Sequence, residues 1–368
     1  MKKNNFKATE RQHYVYRKYL STWTDTLTTT GKLWCFRKES CSMFNPNLMG
    51  VGQQRHFYEL SQLTELEKMM VVLLSHSKVK AVQDTNPLFL LKKISDLERF
   101  EKMHQLLKTG NSLSPDVAQF SSHFNEYDPK IYIEMRRQIG ENIQGQFEIA
   151  GLLGLEQLVI GDGSFFSDEE SRTEFLSYVA MQYIRTDVMK TRQVDIFKNL
   201  SQESRRFKDN IESCDVILKK IGIPFDKYKV KNQIENIDDY LDISKVYSYI
   251  LFGLATELFY AFSVIHNPVL HILESSDSAK FITADQPIIN LKADPSGDAV
   301  SKGLALYFAV SPKYAVIIDF DGGDYKRNIT SEEVLHYNKK IINYSKSQIY
   351  ASNQEDLIIN GLSAENKP

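Results

Sequence analysis

Past residue 275 the chain changes texture, and that change limits the folds open to it. Upstream, long stretches carry apolar residues at helical spacing. Downstream come short apolar runs, "KFITADQPIIN", "LALYFAVSP" and "KYAVIIDF", the last followed by a turn at Gly322 and Gly323. Strands gathered after helices, rather than alternating with them, predict an α+β fold. Inside the β-rich part, Phe281, Ile282 and Thr283 read as a strand and Ile288, Ile289 and Leu291 resume it, yet Asp285, Gln286 and Pro287 stand between. Proline has no N–H for a sheet ladder, so an edge, a bulge or a break is expected there. Asp285 itself reads in two ways: an Asx-type turn former, or a carboxylate presented to a ligand at a strand end.

"KLWCFRK" predicts a short N-terminal strand. "SQLTELEKMMVVLLSHSKVKAVQ", with Ser61 or Thr64 as cap, predicts a helix, as does "LFLLKKISDLERFEKMHQLLKTG" with Gly110 as stop. "PKIYIEMRRQIGENIQGQFEIAGLLG" and "DISKVYSYILFGLATELFYAFSVIHN" predict two more. The strongest helix runs from Ser167 to Leu200, with Ser167 and Glu170 as a capping box. "GLEQLVIGDGSFF" reads as a short strand, and "TSEEVLHYNKKIINYSKS" as a last helix capped by Thr330 or Ser331 with Glu333 in its first turn. The expectation is one compact α+β domain over 1–368. It comprises a basic, aromatic segment at 1–60, a mainly helical part at 61–275, a β-rich part at 276–330 and a C-terminal helix at 331–350.

With 42% hydrophobic and 25% charged residues the chain has the make-up of a soluble globular protein. No run of eighteen apolar residues occurs, and the best stretch, Val246 to Ile265, contains Glu257, so no membrane association is expected. The N-terminus is basic but has no apolar core of the secretory kind. Three cysteines without metal-type spacing suit reduced thiols and a cytoplasmic location. The net charge of −2 excludes a generally basic nucleic-acid binder but not a local basic face. Such a face is suggested by ten Lys/Arg against three acids between Met1 and His56, interleaved with Tyr14, Trp34 and other aromatics. That mixture suits phosphate contact with base stacking, and equally a core with solvated charges around it.

Familiar catalytic signatures are missing: no GxxxxGK[ST], GxGxxG, HExxH, GxSxG or C-x-x-C occurs. "DFDGGD" lacks the glycine and glutamate that a calcium loop needs and reads as a hairpin turn. Arg99 and His104 stand at the Arg-x₄-His spacing of certain ribonucleases, a match that chance supplies readily. No cofactor and no metal site is indicated.

The stretch "RQHYVYRKYLSTW" supplies Gln12, His13, Tyr14, Arg17, Tyr19 and Leu20, and other segments follow in order. They are Lys32, Leu33 and Trp34, then Gln182, Arg185 and Thr186, then Phe281 to Pro287, and Asn338 or Asn343. Together they resemble domain-of-unknown-function family 4238 across nearly the whole chain. Two positions depart from its pattern: Tyr16 stands where a proline is usual, and Gln286 where asparagine is usual. The resemblance implies a single-gene effector of bacterial anti-phage islands, and so a target among nucleic acids or nucleotides.

Polar residues shared over distant segments more naturally converge on one pocket than serve packing alone. The alternative is a buried network, for instance an Asp285–Arg185 pair. The site expected is therefore Asp285 and His13 as catalytic groups, with Arg17, Gln182, Arg185, Gln286, Tyr14 and Trp34 as substrate contacts. Asp285 would stabilise an oxocarbenium-like sugar or activate water, His13 would protonate or position a departing base, and the arginines would hold phosphates. The expectation is a metal-independent hydrolase of phage DNA, a DNA glycosylase foremost. The alternatives are a ribonuclease with His13 as base and a non-catalytic sensor of a phage component.

Overall fold

The computed structural model describes residues 9–25, 31–75, 88–108, 130–201, 204–265, 267–276, 278–295, 301 and 303–363. Lys2, Lys3, Lys7, Gly110 and the stretch 76–87, which entered the expectations above, lie outside the described residues. The fold is α+β, with short N-terminal strands, a helical middle and a β-sheet C-terminal region. Contacts divide the chain into two compact units.

The first unit comprises Met1–Glu10, Tyr58–Ile143 and Val194–Gly253. It is helical. Thr64, one of the two caps expected, opens the helix Glu65–Leu74 with a capping box closed by Glu67. Gln233 accepts a hydrogen bond from Leu66 N at 2.9 Å, tying that helix to Lys227–Glu235. Among the described residues, one helix, Ile243–Ser263, is long and apolar enough to cross a membrane by length and composition. Val246, Tyr247, Tyr249, Ile250 and Leu251 on it are buried in the fold, the pattern of a core helix.

The second unit comprises Arg11–Phe57, Gln144–Gln193 and Leu254–Pro368. Its N-terminal part holds strand β1 (Arg11–His13), helix α1 (Arg17–Leu20) and strands β2 (Trp34–Arg37), β3 (Ser42–Phe44) and β4 (Gln53–Arg55). Helices α2 (Leu152–Val159) and α3 (Glu169–Ile184) come next. Then follow β5 (Val269–Ser275), β6 (Thr283–Ala284), β7 (Ile288–Asn290), β8 (Leu306–Ala309), β9 (Tyr314–Asp319) and β10 (Tyr325–Ile329). Helix α4 (Ser331–Tyr344), strand β11 (Gln348–Ala351) and helix α5 (Gln354–Ile359) complete it.

The strands form a two-stranded ribbon, β1-β4, a five-stranded sheet ordered β10-β5-β9-β8-β7 and a four-stranded sheet ordered β3-β2-β11-β6. Among the described residues β10 and β5 pair in parallel and the other strand pairings are antiparallel. The break at Asp285, Gln286 and Pro287 now has its reason: β6 belongs to the four-stranded sheet and β7 to the five-stranded one. The chain changes sheets where the proline withdraws a ladder donor. Tyr19 on α1 joins the same two sheets from the core. Its hydroxyl bonds Thr283 Oγ1 at 2.6 Å and donates to Ala309 O at 2.7 Å, while its ring stacks on Phe308 at 4.8 Å.

Three local expectations are corrected. "GLEQLVIGDGSFF" is no strand: Leu155 and Leu158 are buried at helical spacing, and α2 is followed by a turn through Gly161 at φ +77°. Helix α3 is capped by Asp168, whose Oδ2 accepts from Ser171 N at 2.9 Å, while the Ser167 hydroxyl turns back to Ser164 O. The long helix to Leu200 is two helices, for α3 ends at Ile184 and the next runs Asp187–Ser201. Thr186 Oγ1 accepts from Met189 N at 3.3 Å and so restarts the helical ladder after the break. The last helix begins as expected at Thr330, in a capping box with Glu333.

Candidate functional site

The expected site residues, Asp285, His13, Arg17, Gln182, Arg185, Gln286, Tyr14 and Trp34, all lie in the second unit. Gln182, fully buried near the end of α3, holds the N-terminal motif in place. Its Nε2 donates to Tyr14 O at 2.9 Å and its Oε1 accepts from Tyr16 N at 3.2 Å. The same Oε1 accepts from Arg185 Nε at 3.2 Å and from the second guanidinium nitrogen at 2.5 Å. Arg185, 1% exposed, spends its remaining face on Gln144 Oε1 at 3.1 Å and on the Glu148 carboxylate at 2.8 Å. The partner of Arg185 is thus Glu148 and not Asp285.

Asp285 is held elsewhere in the unit. Its Oδ1 accepts from Lys346 N at 3.0 Å; its Oδ2 accepts from Ser347 N at 2.6 Å, Ser347 Oγ at 2.8 Å and Gln348 N at 3.0 Å. Four donors occupy the carboxylate and pin the chain entering β11; they come from a segment some sixty positions away, not from the nearby N–H groups of an Asx-type turn. Burial raises the Asp285 carboxyl above its ordinary pKa, against the pull of those hydrogen bonds. Gln286 accepts from the Thr186 hydroxyl and donates to Ile288 O at 2.6 Å, which fastens the crossing segment to the end of α3. Asn338 on α4, one of the two asparagines carried by the resemblance, clamps the other flank. It accepts from Ile282 N at 3.1 Å and donates to Lys280 O at 2.8 Å.

His13 ends β1 and is buried, with Nε2 3.2 Å from Leu48 O. Burial pulls its pKa down to about 4, and the Arg17 and Arg185 cations add to the effect. The imidazole is therefore neutral near neutral pH. Arg17 is exposed at the start of α1, its guanidinium touching Met49 Sδ at 3.0 Å. Tyr14 is buried against Phe57, ring centroids 5.2 Å apart, and Trp34 is half-buried on β2 beside Ala351 of β11. Tyr14, so buried, has no exposed ring face for a flipped base.

The group that sequence reasoning missed is Tyr16 with Glu148. Burial raises the Tyr16 phenol above its ordinary pKa, and Glu148, Arg185, Glu156 and Arg17 all lie within electrostatic reach of it. Arg17 and Arg185 act in turn on His13, so His13, Tyr16, Arg17, Arg185 and Glu148 share one neighbourhood. Glu148 keeps 21% of its side chain exposed while its ion pair holds it. The available signal was the four-residue spacing of Gln144 and Glu148, which puts both on one face of Lys130–Ala150. Nothing in the spacing names the arginine they meet. Among the described residues no group of three or more His, Cys, Asp or Glu is placed to hold a metal ion.

A family model described as "Protein of unknown function (DUF4238)" matches residues 11–355. No curated protein and no solved structure matches the chain.

Proposed function

The chain belongs to the DUF4238 family, and on that premise we propose that it is an anti-phage hydrolase of nucleic acid, cleaving an N-glycosidic bond of phage DNA. The site is bordered by His13, Tyr16, Arg17 and Glu148. The observation that carries this reading is the Arg185–Glu148 pair: a buried guanidinium orients a carboxylate that still reaches solvent. A carboxylate so fixed can stabilise the positive charge that grows on the sugar as the base departs. Asp285, with its acceptors filled by Lys346, Ser347 and Gln348, yields that role to Glu148.

The other groups then take limited roles. Arg17, exposed, contacts phosphate. Arg185 is a positioning residue, since its donors are turned to Gln144, Glu148 and Gln182. His13 is neutral and accepts or orients rather than donates a proton to the leaving base. In the overall reaction water adds to the anomeric carbon, the bond to the base breaks, and the base leaves carrying the proton.

A second reading draws on the same imidazole. A neutral His13 is in the protonation state a ribonuclease base requires, although a pKa of about 4 makes it a weak one. Incubating the pure protein with phage DNA, plain DNA and RNA, each with and without EDTA, separates the readings. Alkali-labile abasic sites are expected on DNA, insensitive to EDTA, and about 10²-fold fewer with Glu148→Gln. Direct strand breaks lost in His13→Ala would establish the ribonuclease instead. No product on any substrate would leave a binding protein and end both.

A further inference from the structure

Two helical stripes meet in the second unit. Gln144, Glu148 and Gly151 share one face of Lys130–Ala150 and its last turn, and Tyr178, Gln182 and Arg185 share one face of α3 and its C-cap. They run in opposite directions: Arg185 meets Gln144 and Glu148, while Gly151 packs directly on the Tyr178 ring. Gln144 also donates to Met181 Sδ at 3.4 Å, and Gln182 accepts from Arg185. Gln144, Glu148, Gln182 and Arg185 are thus bonded within the seam. The Tyr178 hydroxyl is not. Tyr178 is 1% exposed, and its buried oxygen has no hydrogen-bond partner among the described residues. The ring itself is held firmly, by Phe175 and Phe308 at centroid distances of 6.4 Å and by Tyr16 edge-on at 6.1 Å. A buried hydroxyl left so makes the free protein less stable than a phenylalanine of the same shape would. Its presence calls for a partner from outside the fold.

Arg185, Glu148 and Tyr16 all lie within electrostatic reach of that hydroxyl. Glu148, with 21% of its side chain exposed, and half-buried Tyr16 are the members of the group that meet solvent. Burial raises the Tyr178 phenol far above its ordinary pKa, so it keeps its proton and acts as a neutral donor. We propose that the Tyr178 hydroxyl donates a hydrogen bond to the departing base, at a carbonyl oxygen or ring nitrogen, while Glu148 faces the sugar. This deepens the hydrolase reading and rests on it for the nature of the ligand. As the bond between anomeric carbon and base breaks, its electron pair passes to the base, and a donor aimed at a base acceptor stabilises that charge. Water supplies both the oxygen that joins the sugar and the proton that ends on the base; Tyr178 retains its own. Neutral His13 is no such donor. An uncharged base suits the place, because Glu148 repels an anionic group there. The base enters by taking over the edge contact that Tyr16 makes with Tyr178.

The test is Tyr178→Phe, which deletes the hydroxyl and keeps the ring. Three readouts are taken beside the wild type: melting temperature, single-turnover formation of abasic sites on phage DNA across a pH series, and the rise in melting temperature given by each of the four deoxynucleosides. The free variant is expected to melt no lower than the wild type, because an orphaned polar group has been removed. Abasic-site formation should fall by about 10²-fold, and equally at every pH, since the phenol contributes a hydrogen bond and not a proton. At least one deoxynucleoside should raise the melting temperature of the wild type, and that rise should shrink or vanish in the variant. A lower melting temperature in the variant would show that the hydroxyl is already satisfied in the free protein and would overturn the proposal. Turnover unchanged in Tyr178→Phe would also overturn it, and leave the hydrolase reading standing. Should the wild type yield no product on any substrate, the hydrolase reading ends and the deoxynucleosides decide alone. A rise that depends on Tyr178 then keeps the hydroxyl as the group that recognises a base, and no rise, or one indifferent to Tyr178, overturns it.

Discussion

Asp285 grips Ser347 twice: one carboxylate oxygen, Oδ2, accepts from the backbone N at 2.6 Å and from the hydroxyl at 2.8 Å. With Lys346 N and Gln348 N also directed at the carboxylate, an amide cannot replace it without turning a donor toward a donor. Asp285→Asn is therefore expected to lose roughly 1–3 kcal/mol of stability while keeping turnover within a few-fold once folded. Urea denaturation and the abasic-site assay check the two halves. A normally stable Asp285→Asn protein with no turnover would return the reactive role to Asp285.

His13 makes stability depend on pH. Its folded pKa of about 4 lies below the ordinary 6.5, so between those values the unfolded chain binds the proton and the folded one does not. The contribution is fully present above 6.5 and is lost as pH falls toward 4, at most about 3 kcal/mol by linkage. His13→Gln should flatten the stability profile over that window. Parallel acid-side and neutral denaturation curves of equal separation in both proteins would contradict it.

Arg185→Ala removes the buried donor that Gln144, Gln182 and Glu148 share. A loss of roughly 3–5 kcal/mol is expected, and the N-terminal motif should loosen through Gln182. Hydrogen exchange at Tyr16 N, which donates to Gln182, reads that directly.

Lys38 is half-buried, and its ammonium donates to Ile342 O at 2.5 Å and Ser345 O at 2.6 Å, closing the C-terminal end of α4. Lys38→Met should cost about 1–2 kcal/mol and leave nucleic-acid affinity nearly unchanged, with anisotropy as the check.

Gly151 has no room for a side chain: a Cβ there would meet the Tyr178 ring and stand 2.5 Å from Tyr178 Cβ. Gly151→Ala should lose roughly 1–3 kcal/mol through overpacking. Because Tyr178 lies edge-on to Tyr16 at 6.1 Å, turnover should fall with it, measured at a temperature where the variant is folded.

The strands β8 and β9 and the capped start of α4 were legible because local signals specify them: apolar runs, a glycine turn, a threonine three residues before a glutamate. The strands β1, β3, β4, β10 and β11 were not. β10 exposes four of its five residues, and β11 is a strand only because β2 and β6 flank it. The helix break after Ile184 hid behind unbroken helical periodicity, because its cause is Thr186 bonding Gln286 a hundred positions away. The polar residues of the site were visible as types, but their partners were not. Gln182, Asp285 and Asn338 each take up backbone groups of a remote segment, and sequence spacing carries no record of which segment that is.

The position of β11 between β2 and β6 bears on how the protein is made. Residues 34–37 leave the ribosome long before 348–351, yet β2 and β6 have no strand between them until the latter emerge. Translation of the intervening chain thus precedes closure of the four-stranded sheet, and the carboxylate of Asp285 waits for the same late residues. A nascent chain stalled before Gln348 presents two open strand edges for chaperones or neighbouring chains to capture.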